Sequence, residues 1–103
     1  PDPWLAAAGA GFAAGAPSSA VLCHALWQRA PRLSLAEVFR LEYRLSLAAT
    51  MQPDFAEGVR ALLVDKDRRP RWRHAAIDAV PADYLDRLLA ACAPDPHPLA
   101  DLA

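Results

Sequence analysis

Residues 34–51, Ser34-Leu35-Ala36-Glu37-Val38-Phe39-Arg40-Leu41-Glu42-Tyr43-Arg44-Leu45-Ser46-Leu47-Ala48-Ala49-Thr50-Met51, decide the fold class. Ser34 and Glu37 stand at capping-box spacing, so the hydroxyl can accept from a free backbone N–H while the carboxylate reaches back to the cap. Leu33, just before the cap, is placed to staple onto Val38. Beyond the cap, Leu35, Val38, Leu41, Leu45 and Ala48 recur every three or four residues and lay one apolar stripe along a helix. Phe39 and Tyr43 widen that stripe. The helix is expected to end near Met51, because Pro53 disfavours helical geometry in the residue before it.

The same signals, weaker, extend in both directions. Ala20 to Arg29 reads as a helix with Val21, Leu22, Ala25 and Leu26 along one side, and Pro17-Ser18-Ser19 reads as a stop followed by cap candidates. Trp4 to Gly15 reads as an Ala/Gly-rich helix, weakened because Gly9 and Gly11 each cost about 1 kcal/mol against Ala. On the C-terminal side, Asp54 and Glu57 repeat the start signal and open a shorter helix through Val59, Leu62 and Leu63. Asp65 to Pro70 is a charged loop. A last helix is expected from about Pro81, which suits a first-turn position, through Tyr84, Leu85, Leu88 and Leu89. No strand pattern and no internal repeat stand out. The expectation is an all-α chain of four to five helices over residues 1–93, with a proline-rich flexible tail over 94–103.

A length of 103 residues allows one small domain or a piece of a larger one. Hydrophobic residues make up 54% of the chain against a usual share of roughly 45–50%. Such an excess implies apolar surface meant to cover a neighbour, either the rest of the polypeptide or another subunit in a homo-oligomer. A net charge of −1 supplies no field drawing the chain to nucleic acid or membrane. No stretch reaches the roughly 18 consecutive apolar residues of a membrane span. Cys23 and Cys92 are too sparse for a disulfide scaffold and fit a reducing cytoplasm, with a single bridge left open. The start, Pro1-Asp2-Pro3-Trp4, lacks an initiator Met and a positively charged n-region, which argues against a signal peptide and hints at a piece of something longer.

Three runs together carry a family resemblance. They are Glu42-Tyr43-Arg44-Leu45-Ser46, then Asp54-Phe55-Ala56-Glu57-Gly58-Val59-Arg60-Ala61-Leu62-Leu63-Val64-Asp65-Lys66-Asp67, then Pro70-Arg71-Trp72. Over roughly residues 17–85 the chain resembles the C-terminal region of 3-hydroxyisobutyryl-CoA hydrolases, a branch of the crotonase (enoyl-CoA hydratase/isomerase) superfamily. An Asp-Phe-x-Glu-Gly-Val stretch points only to the superfamily, whereas its combination with Glu-Tyr-Arg-Leu-Ser and Val-Asp-Lys-Asp…Pro-x-Trp points to the hydrolase branch. The resemblance implies a C-terminal helical region that covers the active site and mediates assembly. It also implies that the α/β spiral core, with the oxyanion-hole amides and acidic catalytic residues, lies outside these residues. The substrate so implied is an acyl-CoA thioester of valine breakdown, and the partner is the spiral core of the same enzyme. No catalytic residue, no separate cofactor and no metal ligand is assigned to this chain, which is expected to be inactive alone. Two alternatives remain: the corresponding part of an enoyl-CoA hydratase or isomerase, and a stand-alone helical interaction module.

Lys66, Arg69 and Trp72 are the candidate coenzyme A contacts. Lys66, Arg68, Arg69, Arg71 and Arg73 surround Trp72, and coenzyme A offers phosphates to cations and an adenine face to an aromatic ring. In related crotonases a lysine just after the Glu-Gly-Val segment lies near the adenine end, and Lys66 is the nearest match by position. The competing reading is a solvated loop in which Trp72 anchors onto neighbouring helices while Asp65 and Asp67 pair with the cations. Nucleic-acid binding would need a broader basic face. Glu42, inside the apolar arc of its helix, is expected to be ion-paired, with Arg44, Arg60 or a residue of the absent core as candidates. Arg44 and Arg60 are also expected to tie adjacent helices together. His24, His74 and His97 have no ligand spacing with the cysteines, and Ser46 has no paired base.

Overall fold

The fold is built around helix α3, Leu35–Thr50, whose start is set by the reciprocal Ser34–Glu37 box. The Glu37 amide donates to the Ser34 hydroxyl at 3.2 Å and the Ser34 amide to the Glu37 carboxylate at 3.4 Å. The computed structural model describes residues 1–103 and contains five α-helices and no strand, as the sequence led one to expect. Ahead of α3 come α1 (Pro3–Ala14) and α2 (Pro17–Arg29); after it come α4 (Pro53–Val59) and α5 (Tyr84–Ala91).

The core lies where α2, α3 and α5 meet. Leu22 of α2, Leu45 and Ala48 of α3, and Tyr84, Leu85, Leu88 and Leu89 of α5 are buried together with Val80. Leu41, Val21, Ala25 and Leu26 pack around them, half-buried. The α3 stripe is therefore buried only along its C-terminal two-thirds. At its start Leu35 is 71% exposed, while its neighbour Ala36, off the stripe, is buried.

Polar bonds tie the helices of this core. Arg44 donates from α3 to the Leu89 carbonyl at 2.6 Å and the Cys92 carbonyl at 3.1 Å, satisfying acceptors that the end of α5 leaves free. Arg29 of α2 pairs with Asp86 of α5. Arg40 donates to the carbonyls of Leu99 and Leu102, and His97 lies against the Tyr43 ring. Residues 97–102 thus turn back along α3.

Several boundaries differ from the sequence expectation for identifiable reasons. Pro17 does not stop a helix; it begins α2, where its missing N–H costs nothing. Ser18 is then no cap: it is buried, and its hydroxyl donates to Asp54 at 2.9 Å. Asp54 and Glu57 do not form a capping box either, because Gln52 is the cap residue and its side chain makes no capping bond. Pro81 lies in a turn ahead of α5 rather than inside it, and a short 3-10 turn, Ile77–Ala79, precedes it. After Val59 the chain runs into one π-helical turn, Arg60–Val64, closed by the Asp65 amide on the Arg60 carbonyl at 2.8 Å.

Helix α1 stands apart. Asp2 caps it by accepting from the Trp4 amide at 2.8 Å, yet it buries no residue. Only 11 of 103 residues in the chain are buried, and the accessible surface is 7466 Å². A self-contained monomer of 11.1 kDa would expose only about 5,700 Å². The radius of gyration, 15.6 Å, likewise exceeds the roughly 13 Å of a globular domain this long. No single helix is long and apolar enough to cross a membrane.

Candidate functional site

The charged segment that follows α4 is organised by one side chain, Arg60. Its guanidinium donates to both oxygens of Glu57 at 2.8 and 2.7 Å, one turn back on its own helix. It also donates to Asp65 and Asp67 at 2.8 Å each, and to the Arg69 carbonyl at 3.3 Å. Two backbone amides complete the arrangement, Arg69 donating to Asp67 at 2.9 Å and Arg71 to Glu57 at 2.7 Å. Within this loop Lys66 and Arg68 adopt left-handed backbone geometry, with φ of 57° and 56°. Neither is a glycine, so the conformation persists because the surrounding bonds determine it. One of those bonds runs from the Arg68 amide to the Ala61 carbonyl at 2.9 Å.

These contacts shift ionisation as hydrogen bonds to a charged form should. The Arg60 guanidinium, followed by the Arg71 amide, holds the Glu57 carboxyl down to about 2. Asp67 is held below its ordinary value by Arg60 and then by the Arg69 amide. A carboxyl depressed in the folded state contributes stability above its unfolded value of 4.5 and loses it as the pH falls through about 2. Glu57→Gln is therefore expected to flatten the acid-unfolding profile between those two limits, followed by helical circular dichroism. An unchanged slope in that window would show that the Glu57 contacts do not persist in solution.

The structure places the candidate contacts Lys66 and Arg69 on the exposed rim of this loop, and Trp72 beyond it, half-buried. The indole N–H of Trp72 donates to the Ala14 carbonyl at 3.0 Å. Its ring lies over Gly58, where an added Cβ would stand 3.4 Å from Cη2, so the small residue is what lets the ring approach. Trp72 thereby anchors residues 70–73 across α4 and onto the end of α1. Beside it opens a largely apolar groove of about 960 Å³, lined among others by Leu22, Phe55, Leu62, Leu63 and Trp72. Its polar edge carries Ser18, Asp54 and Tyr84. Burial pushes the Tyr84 phenol above its ordinary value, with Arg73 opposing that shift and Asp54 reinforcing it.

Residues 1–89 match the family model described as enoyl-CoA hydratase/isomerase. The chain belongs to this enoyl-CoA hydratase/isomerase family. Among curated proteins it is similar to the mitochondrial 3-hydroxyisobutyryl-CoA hydrolase of Gallus gallus, 52% identical over 54 residues that cover 52% of this chain and 14% of that protein. The mitochondrial 3-hydroxyisobutyryl-CoA hydrolase of Danio rerio is 42% identical over 71 residues, 69% of this chain and 19% of the relative. The Homo sapiens protein of the same name is 47% identical over 53 residues, 52% of this chain and 14% of the relative. The chain thus spans less than a fifth of the length of these relatives. No solved structure matches.

Hydrolysis of a thioester needs amides aimed at the developing oxyanion and a carboxylate free to act on water. The buried-side carboxylates of this chain are committed elsewhere. Asp54 accepts from Ser18 and from the Arg73 amide, at 2.9 and 2.8 Å, and Glu57 accepts from Arg60 and Arg71. Glu42, expected to be ion-paired, is exposed and pairs with neither Arg44 nor Arg60. The partner proposed for it, Arg44, points to the end of α5, which bears out the helix-tying role but not the Glu42 pair. Arg60 does not tie two helices; it binds its own helix and the loop that follows. His74 packs edge-on against Tyr84, and its Nδ1 is buried without a partner. No His, Cys, Asp and Glu side chains gather in a metal-binding group.

Two features of the site escaped sequence reading. The Ser18–Asp54 bond joins residues 36 positions apart, and no local pattern announces such a contact. The Arg60 hub had a signal, a carboxylate at i−3 and two aspartates just downstream, but those aspartates read as partners for the nearer cations.

Proposed function

We propose that this chain is the C-terminal helical part of an acyl-CoA thioester hydrolase of the 3-hydroxyisobutyryl-CoA hydrolase kind. In this role it packs its uncovered apolar surface on the spiral catalytic core, covers the active site and mediates assembly. The core supplies the catalytic groups, and the 103 residues alone are inactive. The observation that carries the reading is the identity of 42–52% to several relatives bearing that hydrolase name. The exposed excess of apolar surface supports it, since such surface calls for a cover. The compartment is proposed to be a reducing one such as the cytoplasm, in keeping with Cys23 and Cys92 as free thiols; the relatives are named mitochondrial.

The loop after α4 is the proposed meeting point with coenzyme A. Lys66 and Arg69 take its phosphates, and the uncovered ring surface of Trp72 takes the adenine. Lys66→Ala and Arg69→Ala in the complete polypeptide are each expected to raise the KM for 3-hydroxyisobutyryl-CoA by about tenfold, the worth of one hydrogen bond to a charged group. Turnover should stay nearly unchanged, because these groups lie far from the thioester. Steady-state kinetics decide it, and an unaltered KM removes the residue from the site.

The reaction itself is tested by release of free thiol from 3-hydroxyisobutyryl-CoA. The complete polypeptide should release it and the isolated chain should not. Hydration or isomerisation of an enoyl thioester without thiol release would move the protein to another branch of its family.

A further inference from the structure

We propose that Arg60 is a positioning residue that sorts the charges of the coenzyme A loop, binding its carboxylates so that its cations stay free for phosphate; this rests on the proposed coenzyme A contact. The segment from Glu57 to Arg71 mixes three carboxylates with five cations besides the ends of the helix. Left to pair locally, Asp65 and Asp67 would neutralise Lys66, Arg68 and Arg69, their neighbours in the chain. The structure has the opposite arrangement. Glu57, Asp65 and Asp67 all converge on the single Arg60 guanidinium. Two of these carboxylates also accept from backbone, Asp67 from the Arg69 amide and Glu57 from the Arg71 amide. Lys66, Arg68, Arg69 and Arg71 are exposed and make no ion pair.

A planar fork with donors on three nitrogens can serve three carboxylates at once, which a lysine ammonium on a flexible stem cannot do in a fixed geometry. Both left-handed residues, Lys66 and Arg68, are cations flanking Asp67, so the backbone itself departs from its preferred geometry where acid and base would otherwise lie side by side. The outcome is a rim of four cations outside any ion pair, above a base in which three carboxylates are held by the one Arg60 guanidinium. A dianionic phosphate is the ligand such a rim recognises. Loss of Arg60 would free two aspartates in the same loop to bind Lys66 and Arg69 in competition with that phosphate.

The test uses the complete enzyme with two substrates, 3-hydroxyisobutyryl-CoA and the matching pantetheine thioester, which keeps the acyl group but lacks the nucleotide phosphates. Arg60→Gln should raise the KM for the coenzyme A thioester about tenfold. It should leave the KM for the pantetheine thioester and both kcat values unchanged. Adding Asp65→Asn and Asp67→Asn should restore the coenzyme A KM, because the competitors for the cations are gone. Should Arg60→Gln not accumulate as folded protein, Arg60→Lys gives the same comparison with a smaller rise. An equal rise for both substrates, or failure of the double neutralisation to restore binding, would mean that Arg60 is merely structural. If Arg60→Gln is silent while Lys66→Ala still raises KM, charge sorting fails and the phosphate contact survives. Silence of Lys66→Ala and Arg69→Ala together sinks both.

Discussion

Isolated in dilute buffer, the 103-residue chain is expected to self-associate, with a mean mass that climbs above 11.1 kDa as concentration rises. The expectation comes from surface area. The exposed 7466 Å² exceeds that of a self-contained monomer by roughly 1,800 Å². A specific interface removes about 800 Å² from each partner, so the excess is large enough to demand a cover. Much of it is apolar: Trp4, Leu5 and Phe12 on α1, and Phe55, Leu62, Leu63 and Val64 along α4 and its π-helical extension are all more than half exposed. In the complete polypeptide the spiral core is the proposed cover. Without it, other copies of the chain are the nearest apolar surface. Light scattering across a concentration series measures the effect. Supplying a spiral core as a second chain should abolish it and shift the mass to a stoichiometric complex. A monomer at all concentrations, with a sharp thermal transition, would instead establish a self-sufficient helical module and count against the enzyme-fragment reading.

The helical architecture was legible because its strongest signals are local. The Ser34–Glu37 box needs only four residues and formed as read. Leu45 and Ala48 of α3 and the buried residues of α5 follow the three-to-four spacing read from the sequence, whereas buried Ala36 lies off the α3 stripe. What escaped reading depends on distant partners. Leu35 fits the stripe as well as Leu45 does, yet which of them is covered depends on where α5 crosses α3. Asp54 and Glu57 carry cap-like spacing, but Ser18 and Arg73 claim one and Arg60 and Arg71 the other. Pro17 shows the ambiguity of proline, which stops a helix from inside and starts one from its first position. The segment that carries the candidate contacts Lys66, Arg69 and Trp72 was legible as a charged loop ending on a tryptophan. Its electrostatics were not. Nearest-neighbour pairing in Asp-Lys-Asp-Arg-Arg is the natural reading, and only the folded chain reveals that Arg60 takes the aspartates instead.

Leu85→Ala should release the whole α2–α3–α5 unit. Leu85 is 3% exposed and belongs to a core of only eight buried residues. Truncating a buried leucine costs about 2–5 kcal/mol, the lost transfer energy plus the cavity left behind. Larger domains spread such a loss over many layers, whereas here α5 contributes four of the eight buried residues from two helical turns. A cost of 2 kcal/mol corresponds to about 30-fold faster amide exchange through global opening. Exchange in α2, α3 and α5 should therefore accelerate together by at least that factor, measured at concentrations low enough to suppress association. Amides of α1 should not change, because that helix buries nothing and contributes nothing to the unit. Leu35→Ala is the matched control: the same substitution on the same sequence stripe, at a residue 71% exposed, should leave exchange within about twofold. If both substitutions had equal effects, the stripe would be buried along its full length and α5 would cross α3 differently. If neither had an effect, the isolated chain would hold its helices by local signals alone, and its core would form only against the proposed spiral core.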